Sequence, residues 1–263
     1  MSHLTPELRA AEAIARTAGL HILRESQREL EISTKGKNDL VTNVDRSTER
    51  LIIELLGRSF PNDAVLGEES GHSSQGATTS RRWIIDPIDG TINFAHGIPL
   101  FCVSIGFAVD GVSQVGVIYD PSRDELFSAA RGQGAHLNGS PIEVSDVDRL
   151  ADAMLVTGFP LESSPTFEAT LTQFEILTRQ ARSIRRLGSA AIDLAYVAAG
   201  RLDAFWEYGL KPWDTAAGYL LVNEAGGRVT DLGGDSFSVA SPSLLASNRY
   251  VHEELLQAIA STL

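Results

Sequence analysis

The stretch "WIIDPIDGTINF", Trp83–Phe94, begins as an apolar segment and ends in a polar turn. Its first four residues, "WIID", predict a short buried strand. Asp86 and Asp89 lie on either side of the rigid Pro87, and Gly90 permits a turn that other residues resist. Burying a carboxylate is costly unless the group is paired or binds a metal ion. Two carboxylates at the exit of a buried strand therefore predict a functional site.

The composition is that of a globular protein, with 263 residues, 43% hydrophobic and 21% charged side chains. The formal net charge is -12, and an acidic surface repels phosphate backbones, so we expect no nucleic-acid partner. The single cysteine, Cys102, excludes an internal disulfide, fits a reducing compartment and reads as a small buried apolar residue. Neither a signal peptide nor a membrane-spanning run is apparent, so we expect a soluble, cytoplasmic protein with no membrane partner.

Periodicity predicts a layered α and β architecture with a substantial antiparallel component. Helical spacing, starting from a Thr5 cap and Pro6, is found in segments 5–22, 46–60, 167–181, 189–200, 214–227 and 250–262. Strands are predicted at 83–86, 101–109 (half-buried), 112–120, 124–130, 134–139 and 201–207, with a hairpin turn at Asp110-Gly111 and a helix stop at Gly226-Gly227. Residues 33–45 read as a loop or short hairpin, and 70–80 as a mobile, exposed polar loop.

Further acidic residues near predicted turns extend the pair at Asp86 and Asp89. Glu68 and Glu69 follow the apolar "AVL", and Asp214 lies at the mouth of a predicted helix. Hard divalent cations, magnesium above all, prefer such oxygen ligands together with water and substrate phosphate.

The main chain of "DPIDGT" suits the same use. The carbonyl of Ile88 could face the same cavity as both aspartates. Gly90 and Thr91 would open the next helix or turn and present N–H groups to a phosphate.

Each feature also has a structural interpretation. "DPIDG" alone is typical of a plain turn, Glu68 and Glu69 of a solvated surface, and Asp214 of a first helical turn. Asp39 and Asp45 fit turn and cap roles. Zinc chemistry is disfavoured, because the histidines lack ligand spacing.

Four segments, taken together and in order, resemble the inositol monophosphatase family: "DLVTNVD", "GEES", "WIIDPIDGTINF" and "KPWDTAAGYLLVNEAGG". The segment "LGSAAIDLAYVAAGRLDAFWE" is similar to bacterial members. The resemblance implies an α+β fold, a layered α/β/α/β/α sandwich of the inositol monophosphatase and fructose-1,6-bisphosphatase type. We expect residues 1–263 to form a single domain with a soft subdivision near 146–153.

The resemblance implies two to three Mg²⁺ ions per active site. Glu68, Asp86 and the Ile88 carbonyl would hold the first ion. Asp86, Asp89 and Asp214 would hold the second. A third, weaker ion would use Glu68 and water molecules.

The resemblance also implies catalytic roles. Asp45 would orient the hydroxyl of Thr91, which with Glu68 would activate the attacking water. The amides of Gly90 and Thr91 would receive the phosphate. No covalent phospho-enzyme is expected, and the reaction is an in-line attack of a metal-activated water.

Substrate contacts are implied for Asp89, Gly90, Thr91, Gly188, Ser189, Ala190, Glu207 and Asp214. Glu207 matches the position that contacts substrate hydroxyls, although an exposed strand-end charge is an equal interpretation. For Ser189 helix capping is the favoured role. Family members often carry a lysine in the mobile loop before "DLVT", and Lys35 and Lys37 both fit that position.

The implied activity is hydrolysis of a phosphate monoester. Inositol 1-phosphate is the first expected substrate. Histidinol phosphate is the second, and fructose 1,6-bisphosphate or another sugar phosphate is also open. Relatives are usually homodimers and are inhibited by lithium. A non-catalytic partnership with the transcription or ribosome machinery is the alternative of another class.

Overall fold

The computed structural model describes residues 5–36, 39–72, 80–160 and 163–260. The helices of this part are α1 (Pro6–Glu25), α2 (Asn43–Ser59), α3 (Thr91–Ala95), α4 (Phe167–Gln180), α5 (Ala190–Ala198), α6 (Pro212–Thr215), α7 (Gly218–Glu224) and α8 (His252–Ala260). Its strands are β1 (Ile32–Gly36), β2 (Asp39–Thr42), β3 (Ala64–Gly67), β4 (Gly71–His72), β5 (Arg81–Asp89), β6 (Cys102–Val109), β7 (Val112–Asp120), β8 (Glu125–Ala130), β9 (Ala135–Leu137), β10 (Ser140–Ile142), β11 (Met154–Thr157), β12 (Ser183–Arg185), β13 (Ala204–Tyr208), β14 (Arg228–Thr230) and β15 (Ser243–Ser247).

Two sheets dominate the described part of the chain. The larger has eight strands in the order β10-β9-β8-β7-β6-β5-β3-β4, all antiparallel except the β3–β5 pair. The smaller has five strands in the order β12-β11-β13-β15-β14. The segment 146–153, predicted as a soft subdivision, connects β10 of the larger sheet to β11 of the smaller one. The single-domain assignment stays a prediction.

Helices form three layers around the two sheets. α1 and α2 pack on one face of the larger sheet, against β5, β6 and β7. α5 and α7 lie between the sheets and contact both. α4 and α8 contact each other and cover the outer face of the smaller sheet, where Trp206 and Leu255 share one core cluster. This order confirms the α/β/α/β/α sandwich implied by the resemblance.

The first two helices begin at capped residues. The Thr5 side chain accepts a hydrogen bond from the Leu8 amide, so α1 starts as predicted. β1 and β2 form the short hairpin that was one of the two expectations for 33–45. α2 starts at Asn43, three residues before the predicted 46, because Thr42 and Asp45 form a capping box.

The strand at Asp86 is longer than predicted. β5 continues through Pro87 to Asp89, and its pairing with β6 shifts register between Asp86 and Asp89. Proline has no amide hydrogen for a ladder bond, so it is tolerated at such a bulge. The bulge turns this end of the strand without ending it.

The half-buried prediction for 101–109 was wrong. Every residue of β6 except Val109 is buried, because α1 covers one face of the sheet and the inner helices cover the other. Its small residues face the inner layer: a Cβ atom on Gly106 would lie 2.8 Å from Cβ of Ala216.

The single helix predicted for 214–227 is divided into α6 and α7. The main chain between them presses against the larger sheet, since a Cβ atom on Gly116 would lie 2.5 Å from the Ala217 carbonyl oxygen. Ser104 Oγ donates to the Trp213 carbonyl at 3.2 Å and Ser113 Oγ donates to that of Ala216 at 2.9 Å. The expected stop is observed, with Gly226 at φ +85°.

Some expectations concern residues that the structure does not describe. Most of the polar loop 70–80, at 73–79, lies outside the described residues. So do Lys37 and the side chain of Lys35, and the choice between them stays open. Within the described ranges, no helix combines the length and apolar character needed to cross a membrane.

Candidate active site

Asp86 is the most enclosed of the predicted acidic ligands. Its side chain is 2% exposed, and its Oδ1 atom accepts a hydrogen bond from the Ile88 amide at 3.0 Å. Burial raises the pKa of Asp86 well above its usual value. Repulsion from nearby carboxylates raises that pKa further, in the order Glu68, Asp89, Asp214 and Asp45. Carboxylates remote in sequence therefore share one electrostatic environment.

Asp89 is held by the first turn of α5. Its Oδ2 atom accepts hydrogen bonds from Ser189 Oγ at 2.7 Å and from the Ala191 amide at 2.6 Å. Burial raises the pKa of Asp89, and these hydrogen bonds oppose the shift. Ser189 is also the N-cap of α5, as its favoured interpretation predicted. The buried Cys102, whose Sγ atom lies 3.9 Å from Asp89 Oδ2, completes this contact.

Asp214 projects from α6. Its Oδ2 atom accepts a hydrogen bond from the Lys211 amide at 2.7 Å. Burial raises the pKa of Asp214 well above its usual value, and Asp89 and Glu68 raise it further. Ser104 of β6 donates a hydrogen bond to the carbonyl of the neighbouring Trp213, so the larger sheet helps to position Asp214.

Thr91 lies between two of the predicted groups. Its Oγ1 atom is 3.0 Å from Asp45 Oδ1 and 2.9 Å from the Ile88 carbonyl oxygen. Asp45 is fully buried at the start of α2, and its other oxygen accepts hydrogen bonds from Thr42. Burial raises the pKa of Asp45, and the hydrogen bonds from Thr42 and Thr91 lower it. Asp45 therefore caps a helix and contacts the Thr91 hydroxyl as well.

Glu68 lies in the turn between β3 and β4, and α2 supports that turn. The buried Glu49 accepts a hydrogen bond from the Glu69 amide at 2.9 Å. A Cβ atom on Gly67 would lie 2.4 Å from Glu49 Oε2, so only glycine leaves room for this carboxylate. Sequence reasoning missed Glu49. The feature that could have identified it is its position, since it is an acidic residue on the apolar face of a predicted helix.

Gly90 brings two main-chain segments together. Its φ of +96° is a conformation that favours glycine, and it caps α3. A Cβ atom here would lie 3.1 Å from the Leu100 carbonyl oxygen and 3.3 Å from that of Gly188. The starts of α3 and α5, both predicted to contact substrate, are therefore adjacent.

Many of the predicted residues line one cavity of about 170 Å³, which we call the acidic cavity. It is lined by Asp89, Gly158, Arg186, Gly188, Ser189, Ala190, Asp193, Glu207, Leu210 and Asp214. Sequence reasoning missed Gly158, Arg186, Asp193 and Leu210. Asp193 carried a usable signal, since it is the only charged residue in the helical segment 189–200.

Glu207 extends from the end of β13 into the acidic cavity. A Cβ atom on Gly158 would lie 2.1 Å from Glu207 Oε2, so the carboxyl packs against bare main chain. The pKa of Glu207 is raised to about 8, mainly by burial and also by nearby Asp89, while Arg186 opposes the shift. Glu207 is half-buried, so the interpretation as an exposed strand-end charge was wrong.

The acidic side chains grouped around Asp86 have donor atoms that suit magnesium. They are carboxylates, the hard ligands that Mg²⁺ prefers, and the charges that act most strongly on Asp86 are all negative. Among the residues described, no group of three or more Asp, Glu, His or Cys side chains already has the arrangement of a metal site.

Comparisons with known proteins decide the family. The model of the "Inositol monophosphatase family" matches residues 3–263. The chain belongs to the inositol monophosphatase family. Among curated members, an inositol-1-monophosphatase from Synechocystis is 44% identical over 254 residues, covering 96% of this chain and 88% of the relative. The Nus factor SuhB of Escherichia coli K12 is 44% identical over 253 residues, covering 95% and 94%.

Solved inositol monophosphatase structures share the fold. The extragenic suppressor protein suhB from Bartonella henselae superposes with a TM-score of 0.94 at 39% identity, covering 98% of this chain and 100% of that one. The inositol monophosphatase from Anabaena gives a TM-score of 0.87 at 40% identity, covering 97% and 95%. Membership of the inositol monophosphatase family supports phosphatase activity on phosphorylated substrates and, in general, metal dependence.

Proposed function

We propose that this protein is a magnesium-dependent phosphate monoester hydrolase with inositol 1-phosphate as its first candidate substrate. The observation that carries the proposal is the electrostatic contact of buried Asp86 with Glu68, Asp89 and Asp214. Carboxylates brought together from separate elements destabilise a fold unless they serve a cation. Membership of the inositol monophosphatase family supports the same reaction class.

The ligands we propose follow the resemblance. Glu68, Asp86 and the Ile88 carbonyl would hold one ion. Asp86, Asp89 and Asp214 would hold a second, and Glu68 a third with water. When bound, Mg²⁺ neutralises charge on the phosphate oxygens and lowers the pKa of a coordinated water.

The Glu68 carboxylate would take the proton from the attacking water, and the Thr91 oxygen would accept a hydrogen bond from the same water. Asp45 Oδ1, 3.0 Å from Thr91 Oγ1, would accept the hydrogen bond of the threonine hydroxyl and so turn a lone pair of that oxygen toward the water.

Substrate would be held at both of its ends. The amides of Gly90 and Thr91, at the start of α3, would bind the phosphate. The alcohol would lie in the acidic cavity against Glu207 and the segment Gly188–Ala190, with Asp89 and Asp214 between the alcohol and phosphate positions. A cavity of about 170 Å³ suits a single ring.

Further parts of the proposal rest on the resemblance alone. We expect a cytoplasmic homodimer that is inhibited by lithium. Histidinol phosphate and fructose 1,6-bisphosphate are the alternative substrates. A second candidate function, partnership with the transcription or ribosome machinery, is favoured by the 44% identity to a relative named as a Nus factor.

A substrate panel tests the proposal. The purified protein is assayed for phosphate release from inositol 1-phosphate, histidinol phosphate, fructose 1,6-bisphosphate and adenosine 3′,5′-bisphosphate, with Mg²⁺ and with a chelator. We expect hydrolysis that requires Mg²⁺ and is fastest for inositol 1-phosphate. Absence of hydrolysis of every monoester, with recovery of transcription or ribosomal proteins in a pull-down, would favour the second candidate.

A further inference from the structure

Asp193 is a buried acid with one carboxyl oxygen left unpaired among the described residues. It lies in the first turn of α5, where its helical neighbours are apolar, and it is 2% exposed. Its Oδ1 atom is buried and has no hydrogen-bond partner in the described part of the chain. A buried oxygen without a hydrogen-bond partner lowers the stability of the folded protein.

The helix itself does not account for this residue. A carboxylate in the first turn of a helix gains a small amount of stability from the macrodipole. Burying a carboxyl oxygen without a hydrogen-bond partner costs considerably more than that gain. An alanine or leucine at position 193 would fit the surrounding apolar cluster, so stability alone favours an apolar residue there.

Asp193 lines the acidic cavity together with Glu207 and Arg186. The two carboxyls come from different elements, α5 and β13. Burial raises the pKa of Asp193, Glu207 and Asp89 raise it further, and Arg186 opposes the shift. Asp193 and Glu207 are therefore close enough to act on each other.

We propose that Asp193 is a specificity-determining residue, which with Glu207 hydrogen-bonds hydroxyl groups of the alcohol portion of the substrate. This inference rests on the proposed phosphatase function. A hydroxyl is the fitting group because it both donates and accepts, so it satisfies a carboxyl in either protonation state. A second phosphate on the alcohol would meet acidic oxygens, so the same pair disfavours bisphosphates.

The test compares two substrates that differ only in the hydroxyls of the ring. Inositol 1-phosphate carries them and cyclohexyl phosphate does not. For Asp193→Ala we expect kcat/KM for inositol 1-phosphate to fall by about tenfold or more, because the substrate hydroxyl loses its carboxyl partner. We expect kcat/KM for cyclohexyl phosphate, and the Mg²⁺ concentration for half-maximal rate, to change by less than about twofold.

Two further variants complete the design. Tyr196→Phe, on the same helix but packed against Phe127 and Arg201, is the matched control and should leave both substrates unaffected. Asp193→Ser is the second test variant and should show the same selective loss. Glu207→Gln should give a selective loss as well, and the double variant should lose less than the sum of the two.

Three outcomes overturn the inference: an equal loss for both substrates, no loss for either, or failure of both Asp193 variants to fold. The last would assign the carboxyl a structural role. The wild-type measurements separate this inference from the proposed function. If the wild-type protein hydrolyses no monoester, the proposed function fails. If it hydrolyses both substrates and the Asp193 variants show no selectivity change, only the assignment of Asp193 fails.

Discussion

Several carboxyl groups of the candidate active site and its support are packed against main chain, and glycines make this possible. Gly67 leaves room for Glu49, and Gly158 leaves room for Glu207. Asp89 takes its hydrogen bonds from the start of α5. Main-chain contacts therefore fix the positions of these carboxyl groups.

Asp86 provides the sharpest test at the scale of a single residue. We expect Asp86→Asn to abolish measurable turnover, because this carboxylate is proposed to contact both principal metal ions. The fold should remain intact, since asparagine has the same shape and relieves the repulsion from Glu68, Asp89 and Asp214. Phosphate release from inositol 1-phosphate and thermal melts with and without Mg²⁺ are the measurements.

The melts give this prediction its control. Mg²⁺ should raise the melting temperature of the wild-type protein and have little effect on Asp86→Asn, because a ligand stabilises only the state that binds it. An Asp86→Asn protein with near wild-type turnover would refute the bridging role.

At the scale of elements, α2 supports the site from two successive turns. Asp45 at its start contacts Thr91, and Glu49, four residues later, holds the amide of Glu69. Residues four apart lie on the same helix face, so both carboxylates point toward the larger sheet. A shift of α2 would therefore displace Thr91 and the turn that carries Glu68 together.

We expect Glu49→Ala to lower kcat for inositol 1-phosphate by about tenfold, since a small misplacement of a catalytic group is enough for such a loss. It should also lower the free energy of unfolding by about 1–3 kcal/mol, because the Glu69 amide loses its acceptor. Kinetics and chemical denaturation are the measurements.

Two comparisons show whether position is the cause. Glu49→Gln keeps an acceptor oxygen and should recover most of kcat. Glu54→Ala, on the exposed side of the same helix in an ion pair with Arg58, should change neither kcat nor stability by much. Wild-type kinetics for Glu49→Ala would contradict a positioning role.

At the scale of the whole molecule, the smaller sheet depends on a buried histidine at the start of α8. His252 is fully buried between β14 and β15, with Nε2 3.0 Å from Thr230 Oγ1 and Nδ1 2.8 Å from Ser247 Oγ. The pKa of His252 is lowered to about 4, mainly by burial and also by Arg228, while Glu253 opposes the shift. The folded protein therefore holds this ring neutral.

Stability should fall as the pH falls from about 6.5 to about 4. In that range the unfolded chain binds a proton at His252 and the folded protein does not, so protons favour unfolding. The loss from this residue alone should reach about 3 kcal/mol at pH 4. Urea denaturation at a series of pH values measures it.

His252→Gln isolates this contribution, because glutamine does not titrate. The difference in stability between wild type and variant should be constant between pH 7 and 8 and should shrink or reverse toward pH 4. Parallel stability curves from pH 8 to pH 4 would show that His252 has no such effect.

Sequence patterns correctly predicted features that depend only on residues close together in the sequence. The Thr5 cap and the helix stop at Gly226 required only local periodicity and turn chemistry, whereas the grouping of acids around Asp86 was implied by the family resemblance. Predictions from local pattern were wrong where tertiary packing changed the helix boundaries or the burial of a strand. The larger sheet presses on the chain at Ala217 and separates α6 from α7, and a covered second face makes β6 buried throughout.

The sequence alone determined which side chains are acidic, where the main chain turns beside them, and, through a family resemblance, the layered fold. Only the tertiary structure decided which acids share a cavity. Asp193 and Glu207 come from a helix and a strand that are brought together by the packing of the inner layer on the smaller sheet. Such contacts depend on which surfaces exclude water against each other, and that choice is made by the whole chain.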